Sequence, residues 1–238
     1  MTYNRLGALL AGLFGLGWLV AIAVSLLFWT PQTMSVGLNL WYDANLFLSF
    51  VLRNVVSWQV FHVAVNLGLL ALILLIPLLQ TLFAADPRHQ AMGTAGVVGA
   101  VLLLLASLMD QLGSPALARH VPANPVIAFQ IWEWLEPWRD SGLKTASYWL
   151  LAVWLLWLGG RFVMLGGMGK FGRFSQIAAG GLFFLAIVKT FLPAPLIYYL
   201  SETGGGGVVL LLFPVWGFWL ARWFWRRETA ELRGRKAA

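Results

Sequence analysis

One apolar run, residues 58–84, constrains the fold of this chain more than any other stretch. The run reads WQVFHVAVNLGLLALILLIPLLQTLFA, which exceeds the about 20 apolar residues that a helix needs to cross a bilayer. A helix would place Gln59, His62 and Asn66 on one face, because they follow each other at intervals of three and four residues. Polar side chains that face lipid lose their hydrogen bonds to water without replacement. We therefore predict a transmembrane helix whose polar face turns towards protein or water.

The composition extends this prediction to the whole chain. The 238 residues are 60% hydrophobic and 11% charged, and the mean hydropathy is +0.79, whereas soluble domains are about 45–50% apolar and about 25% charged. The net charge of +7 is spread over the predicted loops and the tail, so we expect the lipid bilayer as a partner and no nucleic acid. Because the chain has no cysteine, disulfides and thiolate metal sites are excluded.

The sequence predicts an all-α fold, a polytopic membrane helix bundle that forms one domain over residues 1–238. Small residues at Gly7, Ala11 and Gly15 would let another helix approach the first span closely. The charged tail beyond residue 225 is expected to fray. The six predicted transmembrane helices cover about 6–29, 58–83, 93–112, 148–165, 174–199 and 207–225, and two outer surface helices cover about 36–54 and 126–138.

The two surface helices are predicted from their polar interruptions. Residues 36–54 carry a polar stripe on one helical face, and only about three residues would separate this segment from the next span. An interfacial or re-entrant helix therefore fits better than a full span. Asn124 and Pro125 predict the start of the second surface helix, within a long loop over 113–144. Its glutamates and tryptophans are typical of a helix on the membrane surface, with contact to a partner protein as the alternative.

The glycine-rich connector 159–172 is predicted to be a flexible cytoplasmic turn. It lacks the spacing of a P-loop, because Met164 stands where the first glycine would be. We expect the basic side chains of this connector, Arg161 and Lys170, and the adjoining Arg173 to face lipid headgroups instead.

The distribution of basic residues predicts the orientation of the bundle. With six spans, both ends of the chain lie on one side of the membrane. That side would hold Arg5, Arg88, Arg161, Lys170, Arg173 and the basic residues of the tail. The opposite loops carry fewer basic residues, and acidic residues dilute them. Because positive charge is retained on the inner side, we expect both termini in the cytoplasm.

In this orientation, several polar residues of the spans are expected to converge in one outward-opening pocket. These candidate ligand-binding residues are Gln59, His62, Asn66, Asp110 and Lys189. An ionisable residue inside a span is energetically expensive and is by default a functional candidate, and we pair Lys189 with Asp110. The alternative is structural, because a lysine near a helix end can reach the headgroups and polar side chains can join helices by hydrogen bonds.

The sequence contains no recognisable catalytic motif. It lacks both H-E-x-x-H and G-x-S-x-G. The predicted orientation puts His89 and His120 on opposite sides of the membrane, so that the histidines cannot share a metal. His62 alone could not supply both axial ligands of a haem, although it could hold a single chlorophyll-type pigment. We therefore expect no enzyme activity, no metal and no other cofactor.

A weak internal repeat keeps a carrier function open. Six spans divide into two halves of three, and the second half would be inverted. Spans two and five would then correspond, and each carries an ionisable residue and a proline: His62 with Pro77, and Lys189 with Pro193. Interrupted helices at corresponding positions are typical of transporter sites. Spans one and four show no such match.

Short motifs that recur in one family of proteins are distributed along the chain. They are Arg5-Leu6-Gly7-Ala8, Leu52-Arg53-Asn54, Pro77, the acidic end of the third span, and the turn from Gly159-Gly160-Arg161 to Arg173. With them the chain resembles a family of bacterial six-span integral membrane proteins known only as a domain of unknown function. The resemblance implies a compact six-helix bundle in the bacterial inner (plasma) membrane. It carries over no catalytic or binding residue.

We interpret the chain as a non-enzymatic integral membrane protein. Its simplest role is that of an accessory or structural subunit of a larger membrane complex, with other membrane protein subunits as partners. The tryptophan-rich surface helices, the small-residue stripes and the lack of catalytic motifs favour this role. The alternative is a carrier or binder of a small molecule or lipid through the outward-facing polar pocket.

Overall fold

The computed structural model describes residues 2–37, 40, 43–83, 87–165, 167–192 and 205–237. Within these ranges the chain is helical almost throughout and forms no strand. Five helical runs are long and apolar enough to cross a membrane: Tyr3–Thr33, Val55–Gln80, Pro87–His120, Pro125–Met164 and Gly169–Phe191. The predicted all-α membrane helix bundle is therefore confirmed.

The helices follow one another with short connections. In the described ranges they are α1 (Tyr3–Val24), α2 (Thr30–Val36), α3 (Ala44–Arg53), α4 (Val55–Gln80), α5 (Pro87–His120), α6 (Pro125–Glu136), α7 (Thr145–Met164), α8 (Gly169–Phe191) and α9 (Gly205–Ala237). A π-helical segment, Ser25–Trp29, joins α1 to α2, and a second, Pro137–Lys144, joins α6 to α7.

The crossing of the sixth span and the end of the fifth span remain predictions. The sixth span, 207–225, is helical as part of α9, but α9 is not among the five runs that qualify by length and composition. The number of membrane crossings therefore stays as predicted from the sequence. The predicted end of the fifth span, 193–199, lies outside the described residues.

The segment predicted as a surface helix over 36–54 is shorter and lies against protein. Asp43 starts α3 by accepting a hydrogen bond from the amide of Leu46 (2.9 Å), and with ten residues α3 is too short to span a membrane. The apolar face of α3 is buried and packs on α4, α5 and α6; its members are Phe47, Leu48, Phe50 and Val51. The helix therefore closes one end of the bundle with one face, and its interfacial or re-entrant position in the membrane stays a prediction.

The predicted loop over 113–144 is wrong. Helix α5 continues through Pro115 to His120, and residues 125–164 form one helical run in which Pro137–Lys144 is π-helical. The predicted start is correct, because Asn124 caps α6 by accepting from the amide of Ile127 (3.3 Å). A π-helical turn carries the chain past Pro137 and joins α6 to α7.

Helix α9 runs antiparallel to α1 and brings both ends of the chain to one end of the bundle. Glu228, which is buried, accepts a hydrogen bond from the hydroxyl of Thr2 (2.8 Å) and forms an ion pair with Arg5 (3.1 Å). The tail beyond residue 225, predicted to fray, is therefore helical and anchored. At the middle of the pair, a Cβ on Gly217 would lie 2.7 Å from the backbone nitrogen of Gly15, a residue of the predicted small-residue stripe.

The glycine-rich segment predicted as a flexible turn is mostly helix. Gly159 lies inside α7 and Gly172 inside α8, and the two backbones touch there. A Cβ on Gly172 would come within 2.5 Å of the carbonyl oxygen of Gly159 and 2.6 Å of the amide nitrogen of Val163. These glycines let two helices pack backbone to backbone, because without side chains their axes can approach closely.

Two apolar cores are stacked along the bundle. The larger core contains buried side chains of α1, α4, α5, α7, α8 and α9, among them Phe14, Leu75 and Trp216. The smaller core lies at the end remote from the chain termini, where α3 and α6 close the bundle around Trp29 and Trp58. A group of polar and charged residues of α4, α5, the second π-helical segment and α8 lies at the seam between these two cores.

The contact between α7 and α8 predicts opposite effects for two glycine substitutions in α8. Gly172→Ala places a methyl group against rigid backbone and should lower the free energy of unfolding by about 1–3 kcal/mol. Gly180→Ala meets no atom within 4 Å and should be neutral or stabilising by up to about 1 kcal/mol, because alanine favours the helix. Thermal unfolding followed by circular dichroism in detergent measures both. Equal melting temperatures for the two variants would contradict the backbone contact.

Candidate functional site

A cavity of about 160 Å³ lies at the seam between the two cores, remote from the chain termini. Its apolar wall contains Trp18, Trp29, Phe47, Trp58, Phe61, Val65, Leu103, Leu182, Leu185, Val209, Leu210 and Phe213. Its polar wall contains His62, Ser107, Asp110, Glu136, Arg139, Asp140, Lys144, Tyr148 and Lys189. One side of the cavity is therefore aromatic and aliphatic, and the other side is a cluster of charged and polar groups.

Asp110 is the first centre of the charge cluster. It is buried on α5 and forms an ion pair with Arg139 of the second π-helical segment. The ammonium nitrogen of Lys144, in the same segment, lies 3.3 Å from its other carboxylate oxygen. Arg139 reaches on to Glu136 with its second terminal nitrogen (2.7 Å). The hydroxyl of Ser114, one turn further along α5, donates to Asp110 (3.3 Å). Two helical runs are therefore tied together at this carboxylate.

Asp140 is the second centre, and it corrects the predicted partner of Lys189. The ammonium group of Lys189, on α8, donates to Asp140 and not to Asp110 as the sequence analysis proposed. Lys144 bridges the two carboxylates, because its ammonium nitrogen lies 3.2 Å from Asp140 and 3.3 Å from Asp110. Lys189 is buried, so it does not reach the headgroups, which was the structural alternative.

Two buried nitrogens belong to side chains of the cavity wall and have hydrogen-bonding capacity that the described residues do not use. His62 shares a hydrogen bond between Nδ1 and the hydroxyl of Ser107 (3.1 Å), and its Nε2 has no partner among the described residues. Trp18 is likewise buried, and no described atom accepts from its indole N–H. An unused buried polar group costs about 1–3 kcal/mol, so a ligand that reached either nitrogen would gain the free energy of a hydrogen bond.

The other two predicted site residues lie beside the cavity and not in its wall. Gln59 and Gln111 exchange hydrogen bonds, since Gln59 donates to the Gln111 carbonyl (2.9 Å) and Gln111 donates to the Gln59 side chain (3.0 Å). Asn66 donates to the side chain of Gln111 (2.6 Å). These amides join α4 to α5, as the structural interpretation of the polar stripe expected. Of the five candidates, the structure brings His62, Asp110 and Lys189 to the cavity.

The sequence analysis missed most of the charged wall. Glu136, Arg139, Asp140 and Lys144 were assigned to a loop and to surface charge, but they line the cavity. A usable signal was present, because their intervals of three, one and four residues place them on one side of a continuous helix. The prediction of a long loop over 113–144 hid that signal.

The predicted lipid-facing residues lie at the opposite end of the bundle. The guanidinium of Arg161 stacks over the ring of Trp157, 5.2 Å from its centroid. Lys170 and Arg173 are exposed in the first turns of α8. The structure shows their exposure, and lipid contact stays a prediction.

Comparison of the chain with protein-family models, with curated proteins and with solved structures finds no match. The fold and the cavity by themselves define the class of the protein, an integral membrane helix bundle with a cavity that charged and aromatic side chains line. Within the part of the chain that the structure describes, no three histidine, aspartate or glutamate side chains are grouped so as to hold a metal ion.

The buried ion pair predicts a strong coupling between Lys189 and Asp140. Lys189→Met and Asp140→Asn should each lower the free energy of unfolding by about 3–5 kcal/mol, because each removes one partner of a buried ion pair. Asp140 keeps its contact with Lys144 in Lys189→Met, so that variant should lie at the lower end of this range. The double variant should lose at least about 1 kcal/mol less than the sum. Arg53→Met, which removes an exposed cation that contacts its own helix, is the control and should stay near the parent. Denaturant unfolding in mixed micelles measures all four, and additive losses would contradict the pair.

Proposed function

We propose that this protein is a non-enzymatic membrane protein that binds a small uncharged molecule in the cavity between the two cores. The observation that carries the proposal is the pair of buried nitrogens in the cavity wall, His62 Nε2 and the indole N–H of Trp18, for which no described atom serves as partner. A ligand that accepts a hydrogen bond from Trp18 would satisfy one of them, and the histidine can donate or accept according to its tautomer.

The charges of the cavity favour an uncharged ligand. Among the described residues, three carboxylates and three cationic side chains line it, so the formal charges of these six groups cancel. Each carboxylate already contacts at least one of the cations, as in the pairs of Asp110 with Arg139, Asp140 with Lys189 and Glu136 with Arg139. A charged ligand would have to displace one of these partners and leave a buried charge unpaired, which costs several kcal/mol.

The size and the wall of the cavity favour a flat, ring-shaped ligand. A volume of about 160 Å³ is close to that of an apolar cavity of about 150 Å³ that accommodates benzene. Trp18 packs on Phe213 with ring centroids 5.0 Å apart, and Trp58 on Trp29 at 5.3 Å. Such rings offer faces and edges that bind another ring favourably. Small uncharged rings dissolve in the bilayer, which would supply the ligand to the protein.

Acetophenone, an aromatic ketone, tests this function against ethylbenzene, which has a similar shape but no acceptor. The purified protein should bind acetophenone about five- to tenfold more tightly, because one hydrogen bond to Trp18 contributes about 1 kcal/mol. Trp18→Phe removes the N–H and keeps a ring, so it should abolish this preference while ethylbenzene binding stays within about twofold. Isothermal titration calorimetry in detergent measures both dissociation constants.

Trp219→Phe is the matched control for that experiment, because Trp219 is absent from the cavity wall and is partly exposed. It should keep the preference for the ketone. Two results would count against the proposed function: failure of the parent to bind either compound at millimolar concentration, or an unchanged preference in Trp18→Phe.

An accessory subunit is the second candidate function, and the exposed face of α6 supports it. Ile127, Ile131 and Trp134 on α6 and Trp138 in the π-helical segment that follows are all more than 40% exposed, although the helix itself is fixed to the bundle by Ala128 and Trp132. Aromatic and branched side chains of this kind suit contact with another membrane protein. Purification from the native membrane in mild detergent, followed by mass spectrometry, should then recover a partner that Ile131→Ser/Trp134→Ser weakens.

The proposed orientation, with both termini in the cytoplasm of a bacterial cell, predicts which side of the membrane can be labelled. The chain has no cysteine, so single cysteines report without background. Glu133→Cys lies at the cavity end and should react with an impermeant maleimide in intact cells. Lys170→Cys, at the end with the termini, should react only after permeabilisation, because positive charge is kept inside. The reverse pattern of labelling would invert the orientation.

A further inference from the structure

A groove of mixed character lies at the end of the bundle that holds the chain termini. It runs between the beginning of α5 and the end of α7, with a volume of about 560 Å³. Its lining consists of Arg88, Ala91, Met92, Leu156, Trp157, Gly160, Arg161 and Met164. The charged residues of this lining are two arginines, one from each helix. Apart from the tryptophan, the rest is aliphatic, methionine or glycine, so the groove combines positive charge with an apolar floor.

A platform of packed side chains lies beside the groove. His89 follows Arg88 and is fixed by two hydrogen bonds to Gln80 of α4, because its Nε2 lies 2.5 Å from the Gln80 carbonyl and its own carbonyl accepts from the Gln80 side chain at 3.1 Å. The His89 ring packs on Trp157 at 4.6 Å between centroids. On α7, Arg161 stacks over that same tryptophan at 5.2 Å. Trp157 therefore contacts residues of both helices that form the groove, α5 and α7.

A glycine maintains this platform. A Cβ on Gly93 would lie 1.2 Å from the side-chain nitrogen of Gln80, so any larger residue displaces the glutamine that fixes His89. The beginning of α5 is thus held by contacts within the bundle. A cationic group whose position is restricted, as that of Arg161 is over Trp157, binds a phosphate more favourably than a flexible surface charge does, because less conformational freedom is lost.

We propose that this groove binds the headgroup of an anionic phospholipid. The phosphate lies between the guanidinium groups of Arg88 and Arg161, which can each donate two hydrogen bonds to its oxygens. One acyl chain follows the apolar floor past Met92, Leu156 and Met164. Met164 is 78% exposed and Leu156 is 46% exposed, so the floor opens to the surrounding lipid. The charge complementarity of two arginines selects an anionic headgroup, and the floor selects a lipid over a soluble phosphate.

This site is independent of the proposed ligand cavity, which lies at the other end of the bundle. It also differs from the set of headgroup contacts that the sequence predicts. Lys170 and Arg173 are exposed on α8 but do not line the groove. These two residues provide a control, because their neutralisation removes the same charge from the same end of the protein.

Retention of phosphatidylglycerol by the purified full-length protein tests the proposal. The protein is titrated in detergent with phosphatidylglycerol or phosphatidylcholine, and native mass spectrometry counts the bound lipid. The parent should bind phosphatidylglycerol more tightly than phosphatidylcholine. Arg88→Gln/Arg161→Gln should weaken phosphatidylglycerol roughly tenfold or more. Lys170→Gln/Arg173→Gln should change it less than about threefold, and circular dichroism should show both variants folded.

Several outcomes would overturn the proposal. Equal weakening by both double variants would mean that only general positive charge attracts the lipid. An unchanged affinity in Arg88→Gln/Arg161→Gln would place the lipid elsewhere. Displacement of the lipid by inorganic phosphate at the same concentration would make the groove a site for a soluble anion. Should Arg88→Gln/Arg161→Gln unfold, the single variants Arg88→Lys and Arg161→Lys replace it, and each is expected to weaken phosphatidylglycerol because lysine lacks the bidentate geometry.

Discussion

The requirement that buried charges be paired sets the arrangement of one whole end of this bundle. Asp110 on α5, Asp140 in the π-helical segment and Lys189 on α8 are all buried, and exposed apolar side chains such as Val56 and Leu112 surround the same level. In such a medium an unpaired charge is very unfavourable. Helices α5, α7 and α8 can therefore not slide past one another without breaking the ion pairs. A cavity lies beside these pairs, and the charges that the described residues contribute to its wall sum to zero.

Away from the charges, the helices are held by close approach of their backbones. Lipid is as apolar as the helix surfaces, so burial of leucine alone gives little preference for helix over lipid, and tight van der Waals packing takes its place. A Cβ on Gly17 would lie 2.4 Å from the carbonyl of Ala64, which shows how closely α1 approaches α4. Gly159 and Gly172 do the same for α7 and α8. Small residues therefore determine the rest of the packing, while the ion pairs determine the register at the cavity.

The two ends of the protein consequently differ in chemistry. At one end, paired charges and aromatic rings surround a cavity with two unused nitrogens, which suits a small uncharged molecule. At the other end, where both chain termini lie, cationic groups are exposed beside apolar surface, which suits anionic lipid. The uneven distribution of positive charge would orient the protein in the membrane, and it would also bring the lipid to the groove.

The sequence by itself determined the class of the fold, because long apolar runs can bury their backbone polar groups in a membrane only as helices. It also identified His62, Asp110 and Lys189 as candidates, since ionisable residues in such runs are rare and expensive. Their partners depended on the tertiary structure. Lys189 meets Asp140 because a π-helical turn carries the helix past Pro137 and places residues assigned to a loop opposite α8. The relative position of helices distant in sequence decides such contacts, and local pattern carries no information about it.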